Sequence, residues 1–386
     1  MLVSLLIADP NLDELLGTAI AGFDIPDHVY LRAVDRYEDV GGWLDSYWSD
    51  SPTDGLVYAQ GSFRLGTVVQ PINPKDQYDI DLVCRRDLPK EAITQADLKR
   101  DVGTGLRQYV ASGPDGEPTC KEGKRCWTLE YGAEPFHMDV LPAIPNVDIA
   151  GNAIWLTDKE LRLWQPSNPV DYASWFHGQM HDDFIQLQER QAIAKRMEVE
   201  DVPGWQVKTP LQQTVQALKR HRDIHFAKRP KDRPASIIIT TLATRGYTAG
   251  GDLYDVLTDV TRKMPGLVER RNGVYWVPNP VHPEENFADR WQRHPGRDRS
   301  FFDWIEQAHA HFSGYGVDKG TDRVLEKLAE SFGEAPANRA AELLGSGLTT
   351  ARDAGLLGVG ATGLLGASAR RPVPKHTFHG DLPTRA

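Results

Sequence analysis

Residues 61–81 read GSFRLGTVVQPINPKDQYDID: a Gly-Ser turn, a stretch rich in chain breakers, and two aspartates separated by one isoleucine. The run YDIDLVCR (78–85) alternates with period two and predicts a strand. Successive strand side chains leave opposite faces, so Asp79 and Asp81 should emerge together while Ile80 points into the core. Two carboxylates held that close repel each other, which raises one pKa and costs stability unless a cation lies between them. A solvated pair at a sheet edge is the plain alternative, because D-x-D occurs by chance in many chains.

A second strand candidate, PFHMDVLPAI (135–144), is closed by Pro142 and Pro145 and places Asp139 among apolar residues, where an unpaired carboxylate is costly to bury. As a third ligand on a neighbouring strand Asp139 escapes that cost; as a strand-end residue it would instead cap the turn before Pro142. Hard Mg²⁺ prefers carboxylate oxygen and combines one or two carboxylates with substrate phosphates, and Mn²⁺ suits the same ligands. Asp79, Asp81 and Asp139 can hold two such ions, one activating an attacking hydroxyl and the other steadying a triphosphate in an in-line displacement. Asp139 is also a candidate proton acceptor. Glycine lets the backbone approach a ligand, so the amides and hydroxyl of Gly61 and Ser62, extended by Gly66, form a cradle for phosphate oxygens. Turn and carboxylates together read as a nucleoside triphosphate site.

The rest of the chain frames that site. Its 386 residues, 40% hydrophobic, suffice for one large or two medium domains with a buried core. A net charge of −10 argues against gripping long nucleic acid through overall charge. The three cysteines, Cys84, Cys120 and Cys126, lack paired CxxC spacing and suggest neither a disulfide framework nor a zinc ribbon, which fits a reducing cytoplasm. The opening MLVSLLIADP is too short to span a bilayer and has no charged n-region, so no membrane association is expected. Helical spacing predicts an amphipathic helix over 26–49, another near 95–111, and helices over 171–197 and 209–226. GLVYAQGS (55–62) is a short apolar segment ending at the Gly-Ser turn and RCWTLEY (125–131) reads as a strand, whereas SIIITTLATRGY (236–247) fits a buried helix or a strand. The expected fold class is mixed α+β, two-lobed. Residues 1–150 would form a lobe with a mixed sheet and an N-terminal spine helix, 151–340 a helical nucleotide-binding lobe, and 341–386 a Gly- and Pro-rich flexible tail.

The set GSFRLGT, DQYDIDLV and FHMDV resembles the DNA polymerase β-type nucleotidyltransferase superfamily, whose pattern is G-S, then D-x-D, then a third aspartate on a later strand. More closely, the chain resembles the bacterial CD-NTases, the cyclic-oligonucleotide synthases of CBASS antiphage defence, over about residues 25–315. LKRHRDIHF (218–226), PASIIITTLA (234–243) and VPNPVHPEENFADRW (277–291) support the resemblance in the second lobe. It implies a polymerase β-like fold and NTP substrates, ATP or GTP, joined into a cyclic di- or trinucleotide with release of pyrophosphate. It also implies that Lys219 and Ser236 contact the donor triphosphate. The residues by themselves allow Lys219 to be a surface lysine and Ser236 a helix cap. In type II CBASS operons relatives are joined through their C-terminus to other molecules, and the RRPVPKHTFHGDLPTRA tail suits such a regulatory partner. No zinc insertion of the DNA-sensing animal branch is visible. A linear oligoadenylate or RNA-tailing transferase, and a catalytically silent nucleotide-binding protein, are the competing readings.

Other groupings carry less. His177 and His181 lie four apart and His309 with His311 two apart, yet neither pair has the Glu of H-E-x-x-H or a third ligand. No G-x-S-x-G or GxxxxGK[ST] motif occurs. Trp155, Trp164, Trp175 and Trp276 could stack a base, although tryptophan more commonly fills a core.

Overall fold

The computed structural model describes residues 10–48, 55–73, 75–113, 117–157, 164–315, 321–359, 365–366 and 371–372. Helices α1 (Pro10–Ala21) and α2 (Asp27–Tyr47) precede β1 (Gly55–Ala59), the one-turn helix α3 (Gly61–Arg64) and β2 (Tyr78–Arg86). Helix α4 (Gln95–Ser112) leads to β3 (Thr119–Glu122), β4 (Trp127–Glu130), β5 (Phe136–Pro145), β6 (Ile154–Leu156) and β7 (Gln165–Ser167). These strands form one mixed sheet ordered β1-β2-β5-β4-β3, with β6 pairing β5 and β7. Strands β2 and β5 run parallel at its centre; the other pairs are antiparallel.

Strand parity decides what each face does. Ile80, Leu82 and Cys84 of β2 are fully buried against Val29, Ala33, Val40 and Leu44 of α2 and Leu98, Val102 and Leu106 of α4. Val83, of opposite parity, packs with Ala143, Ile154 and Leu156 on the other face. Asp79 and Asp81 share that second face, beyond the reach of β6, and so open onto a cleft. Pro142 lies within β5 opposite Cys84 rather than ending it. On its other side Pro142 O accepts from Thr157 N at 3.3 Å, just past the Ala143–Leu156 pair where the β6 ladder ends, so the missing N–H falls at the end of a ladder.

The second lobe is helical: α5 (Pro169–Gln179), α6 (His181–Lys195), α7 (Pro210–His225), α8 (Ser236–Gly246), α9 (Leu253–Lys263), α10 (Asp289–Arg293), α11 (Arg297–Gly314), α12 (Thr321–Phe332) and α13 (Glu334–Asp353). SIIITTLATRGY is therefore a helix, buried continuously from Ile238 to Thr244. Two expected boundaries shift. Leu12, Leu15, Leu16, Ala19 and Ile20 of α1, at i, i+3, i+4 spacing, belong to the helical core, and β6 and β7 extend the sheet past residue 150. The expected tail from 341 is helical through Asp353, because Ala337, Ala340 and Ala351 are buried while Gly345 and Gly347 face open space. Residues 373–386 lie outside the described residues. Among the described residues no helix is long and apolar enough to cross a membrane.

In the helical core the Trp304 indole N–H donates to His221 Nδ1 at 3.0 Å, which places the His221 proton on Nε2, 3.1 Å from His311 Nδ1. Burial pushes His221 down to about 3, with His311 and His225 adding to it. The unfolded imidazole titrates near 6.5, so this group's contribution to stability is present above that pH and is lost as pH falls toward 3. Unfolding free energy from denaturant titration should drop by about 2 kcal/mol between pH 7 and 5 on account of this histidine, and His221→Gln, which keeps an acceptor for Trp304, should flatten that slope.

Candidate active site

Parallel pairing of β2 with β5 sets Asp79 beside His137 and Asp81 beside Asp139, and antiparallel β4 adds Glu130 opposite His137 and Thr128 opposite Asp139. Neighbouring strands lie about 4.8 Å apart, so two rows of polar side chains cross the cleft face of the sheet. Ligand atoms of Asp79, His137 and Asp139 all fall within 4.8 Å of one another. His137 Nε2 stands 3.5 Å from Asp79 Oδ1, and its pKa is raised, first by its hydrogen bond with Asp79 and then by the charges of Asp79, Asp139 and Glu130. Thr128 Oγ1 donates to Asp139 Oδ1 at 2.5 Å. Sequence reasoning passed over His137, although H-x-D in a strand puts it on the face of Asp139 by the same parity that joins Asp79 to Asp81.

Asp81 is turned toward the Gly-Ser turn: a Cβ on Gly61 would lie 2.6 Å from its Oδ2. Desolvation, then the charges of Asp79 and Asp139, push Asp81 up to about 7. The turn itself is the short helix α3, entered at φ +61 by Gly61 and left at φ +65 by Gly66. Gly66 is as constrained as Gly61, since its Cβ would sit 2.5 Å from Gln212 Nε2.

A cavity of about 700 Å³ joins Gly61, Ser62, Asp79 and Asp81 on the sheet side to Lys219 and Ser236 on α7 and α8. Six of the seven expected site residues thus line one space. Asp139 lies outside that lining and adjoins it through Asp79. Lys219 is buried and donates to Thr67 O at 2.9 Å and Thr67 Oγ1 at 3.0 Å; burial pushes it down to about 7, and Arg222 adds to the shift. Ser236 is the first residue of α8, not its cap, and its hydroxyl accepts from Arg222 at 2.8 Å. Arg222 also ion-pairs with Asp223 at 2.8 Å.

The groupings set aside earlier stay structural. Helices α5 and α6 meet at Met180, so His177 and His181 do not share a helix. His309 bonds Thr261 and His311 bonds His221. Trp276 donates to Pro283 O, and Asn279 donates to Glu285, at the β-hairpin after α9.

Two carboxylates and an imidazole clustered within 4.8 Å, beside a carboxylate that burial and then repulsion drive toward neutrality, fit a divalent cation. The comparisons agree with this chemistry. Residues 56–142 match the nucleotidyltransferase domain of the DncV-like cyclic GMP-AMP synthases. A c-di-GMP synthase of Roseivirga ehrenbergii is 27% identical across 97% of this chain and 98% of that protein. The cyclic dinucleotide synthase CdnG of Bradyrhizobium diazoefficiens is 27% identical across 84% of this chain and 79% of that protein. The solved structure of the Bradyrhizobium diazoefficiens CD-NTase CdnG in complex with GTP shares the fold, with a TM-score of 0.71 over 86% of this chain and 99% of that one, at 21% identity. Fold and matched domain define a nucleotidyltransferase. Within that class the proteins the chain is similar to are cyclic dinucleotide synthases, and the solved structure that shares its fold is a CD-NTase.

Gly61→Ala tests the turn. A left-handed alanine costs about 1–2 kcal/mol, and its methyl group meets Asp81 Oδ2. Nucleotide turnover should fall by about 10²-fold, the scale of a 1 Å misplacement. Gly42→Ala on exposed α2, where a Cβ meets nothing within 4 Å, should leave turnover unchanged.

Proposed function

We propose that this chain joins two nucleoside triphosphates into a cyclic dinucleotide, releasing pyrophosphate twice, as a signal in CBASS-type antiphage defence. The observation that supports it most is the row of Asp79, Asp81 and Asp139 on adjacent parallel strands beside the Gly61–Ser62 turn. Mg²⁺ or Mn²⁺ held by these aspartates would supply charge neutralisation at the triphosphate and lower the pKa of the attacking ribose hydroxyl. The chain's own residues orient the reactants. Gly61 and Ser62 present amides and a hydroxyl to the donor phosphates, and Lys219 and Ser236 face them from the helical wall. Asp139, beside the cavity rather than in its lining, accepts the proton of the acceptor hydroxyl, which attacks the donor α-phosphorus. A second attack, with the two nucleotides exchanging roles, closes the ring. The names of the relatives, a c-di-GMP synthase and a GTP-bound CdnG, make GTP the first substrate to try, with ATP second.

Purified protein incubated with the four NTPs and Mg²⁺ or Mn²⁺ should yield a phosphatase-resistant product with the mass of a cyclic dinucleotide. The double variant Asp79→Ala, Asp81→Ala should form none while keeping its melting temperature. A product whose terminal phosphates yield to phosphatase would identify a linear oligonucleotide synthase, and no metal-dependent pyrophosphate release would identify a silent nucleotide-binding protein.

A further inference from the structure

Asp139 is the member of the acidic row with least help from its own strand. It lies on β5 between buried Met138 and Val140, itself partly buried. A strand aspartate has two side-chain torsions, the terminal one broad, so nothing in its backbone fixes where its two oxygens point. What fixes them comes from β4. Thr128 is the register partner of Asp139, and its hydroxyl donates to Oδ1 at 2.5 Å. That length is in the range of a charge-assisted O–H···O⁻ bond. Threonine is β-branched and stiff at χ1, and so makes a rigid donor on a pleated strand. The neighbouring Cys126 Sγ lies 3.9 Å from the Thr128 hydroxyl oxygen and is itself hydrogen-bonded to Asp139, a weaker second partner for that carboxylate.

We propose that Thr128 is a positioning residue for Asp139: it anchors Oδ1 so that Oδ2 is directed at the cluster formed with Asp79 and His137. This rests on the reading of Asp139 as a metal-holding carboxylate given above. The hydroxyl has one proton, and Oδ1 takes it; Oδ2 keeps its lone pairs for a cation or for the ribose hydroxyl. Partners of this kind set ligand orientation, and their loss costs about 10–100-fold in metal affinity or activity.

The test is Mn²⁺ titration of the full chain without nucleotide, followed by electron paramagnetic resonance, on the native protein, Thr128→Val, Thr128→Ser and Asp139→Asn. Valine matches threonine in shape and strand preference but cannot donate. The expected result is Mn²⁺ affinity weakened 10–100-fold in Thr128→Val and restored to near the native value in Thr128→Ser, with unchanged melting temperatures. In turnover assays Thr128→Val should lower kcat with little change in KM for NTP. Native Mn²⁺ affinity in Thr128→Val, alongside weakened affinity in Asp139→Asn, would overturn the role of Thr128 alone. Thr128→Ser binding as weakly as Thr128→Val would assign the effect to the methyl group's packing and overturn it too. Native affinity in Asp139→Asn would overturn the underlying reading of Asp139.

Discussion

One polar seam between α7 and the extended segment after the Gly-Ser turn determines how the two lobes meet. Five backbone carbonyls of that segment accept side-chain donors: Leu65 from Gln212, Gly66 from Lys208, Thr67 from Lys219, Val68 from Gln216 and Gln70 from Arg220. Extended backbone running along a helix has no ladder of its own, and each buried carbonyl left unpaired would cost about 1–3 kcal/mol. The helical donors recur at positions 212, 216, 219 and 220, one face of α7, and so run in step with the segment. Those side chains are buried for the same reason, since Gln216 and Arg220 would not otherwise sit in an interface at 1% and 5% exposure.

The seam has a fixed origin. Thr209 and Gln212 form a capping box at the start of α7, and the same Gln212 uses its Nε2 to hold Leu65 O. At the other side Asp24 accepts from both Lys208 and Gln216, so the link between α1 and α2 joins the same network. Gly66, in the left-handed region, is what lets the segment pass so close to Gln212. A shift of α7 therefore carries the Gly61–Ser62 turn with it, and the turn carries the space around Asp81.

Much of this was legible in the sequence where local period decides structure. Parity alone put Asp79 and Asp81 on one face and Ile80 in the core, and helical spacing located α2, α4 and α7 to within two or three residues. What depends on pairing between strands was not. Thr128 meets Asp139 only through the register of β4 on β5, and no local pattern in RCWTLEY states that register. The row on α7 was visible as spacing, yet Gln212 and Gln216 look like an ordinary solvated face until the partner segment covers them. The docking of α1 against α9 and α13 failed for the same reason, because its apolar stripe does not say which lobe it faces.

Burial explains why the cleft holds opposite charges on opposite walls without pairing them. Asp81 is driven toward its neutral form by desolvation and by two neighbouring carboxylates, and Lys219 toward its neutral form by desolvation and by Arg222. The counter-charges each wall does have are its own, His137 beside Asp79 and Asp223 beside Arg222, and Lys219 spends its donors on Thr67 rather than on Asp81. An anion alone would suit the Lys219 and Arg222 wall but would be repelled by the carboxylates; a cation alone would suit only the carboxylates. A ligand carrying both signs in order, such as a triphosphate with divalent cations on its inner edge, satisfies the two walls at once. Without a cation the acidic row would repel the phosphates of a bare nucleotide, most strongly at buried Asp81.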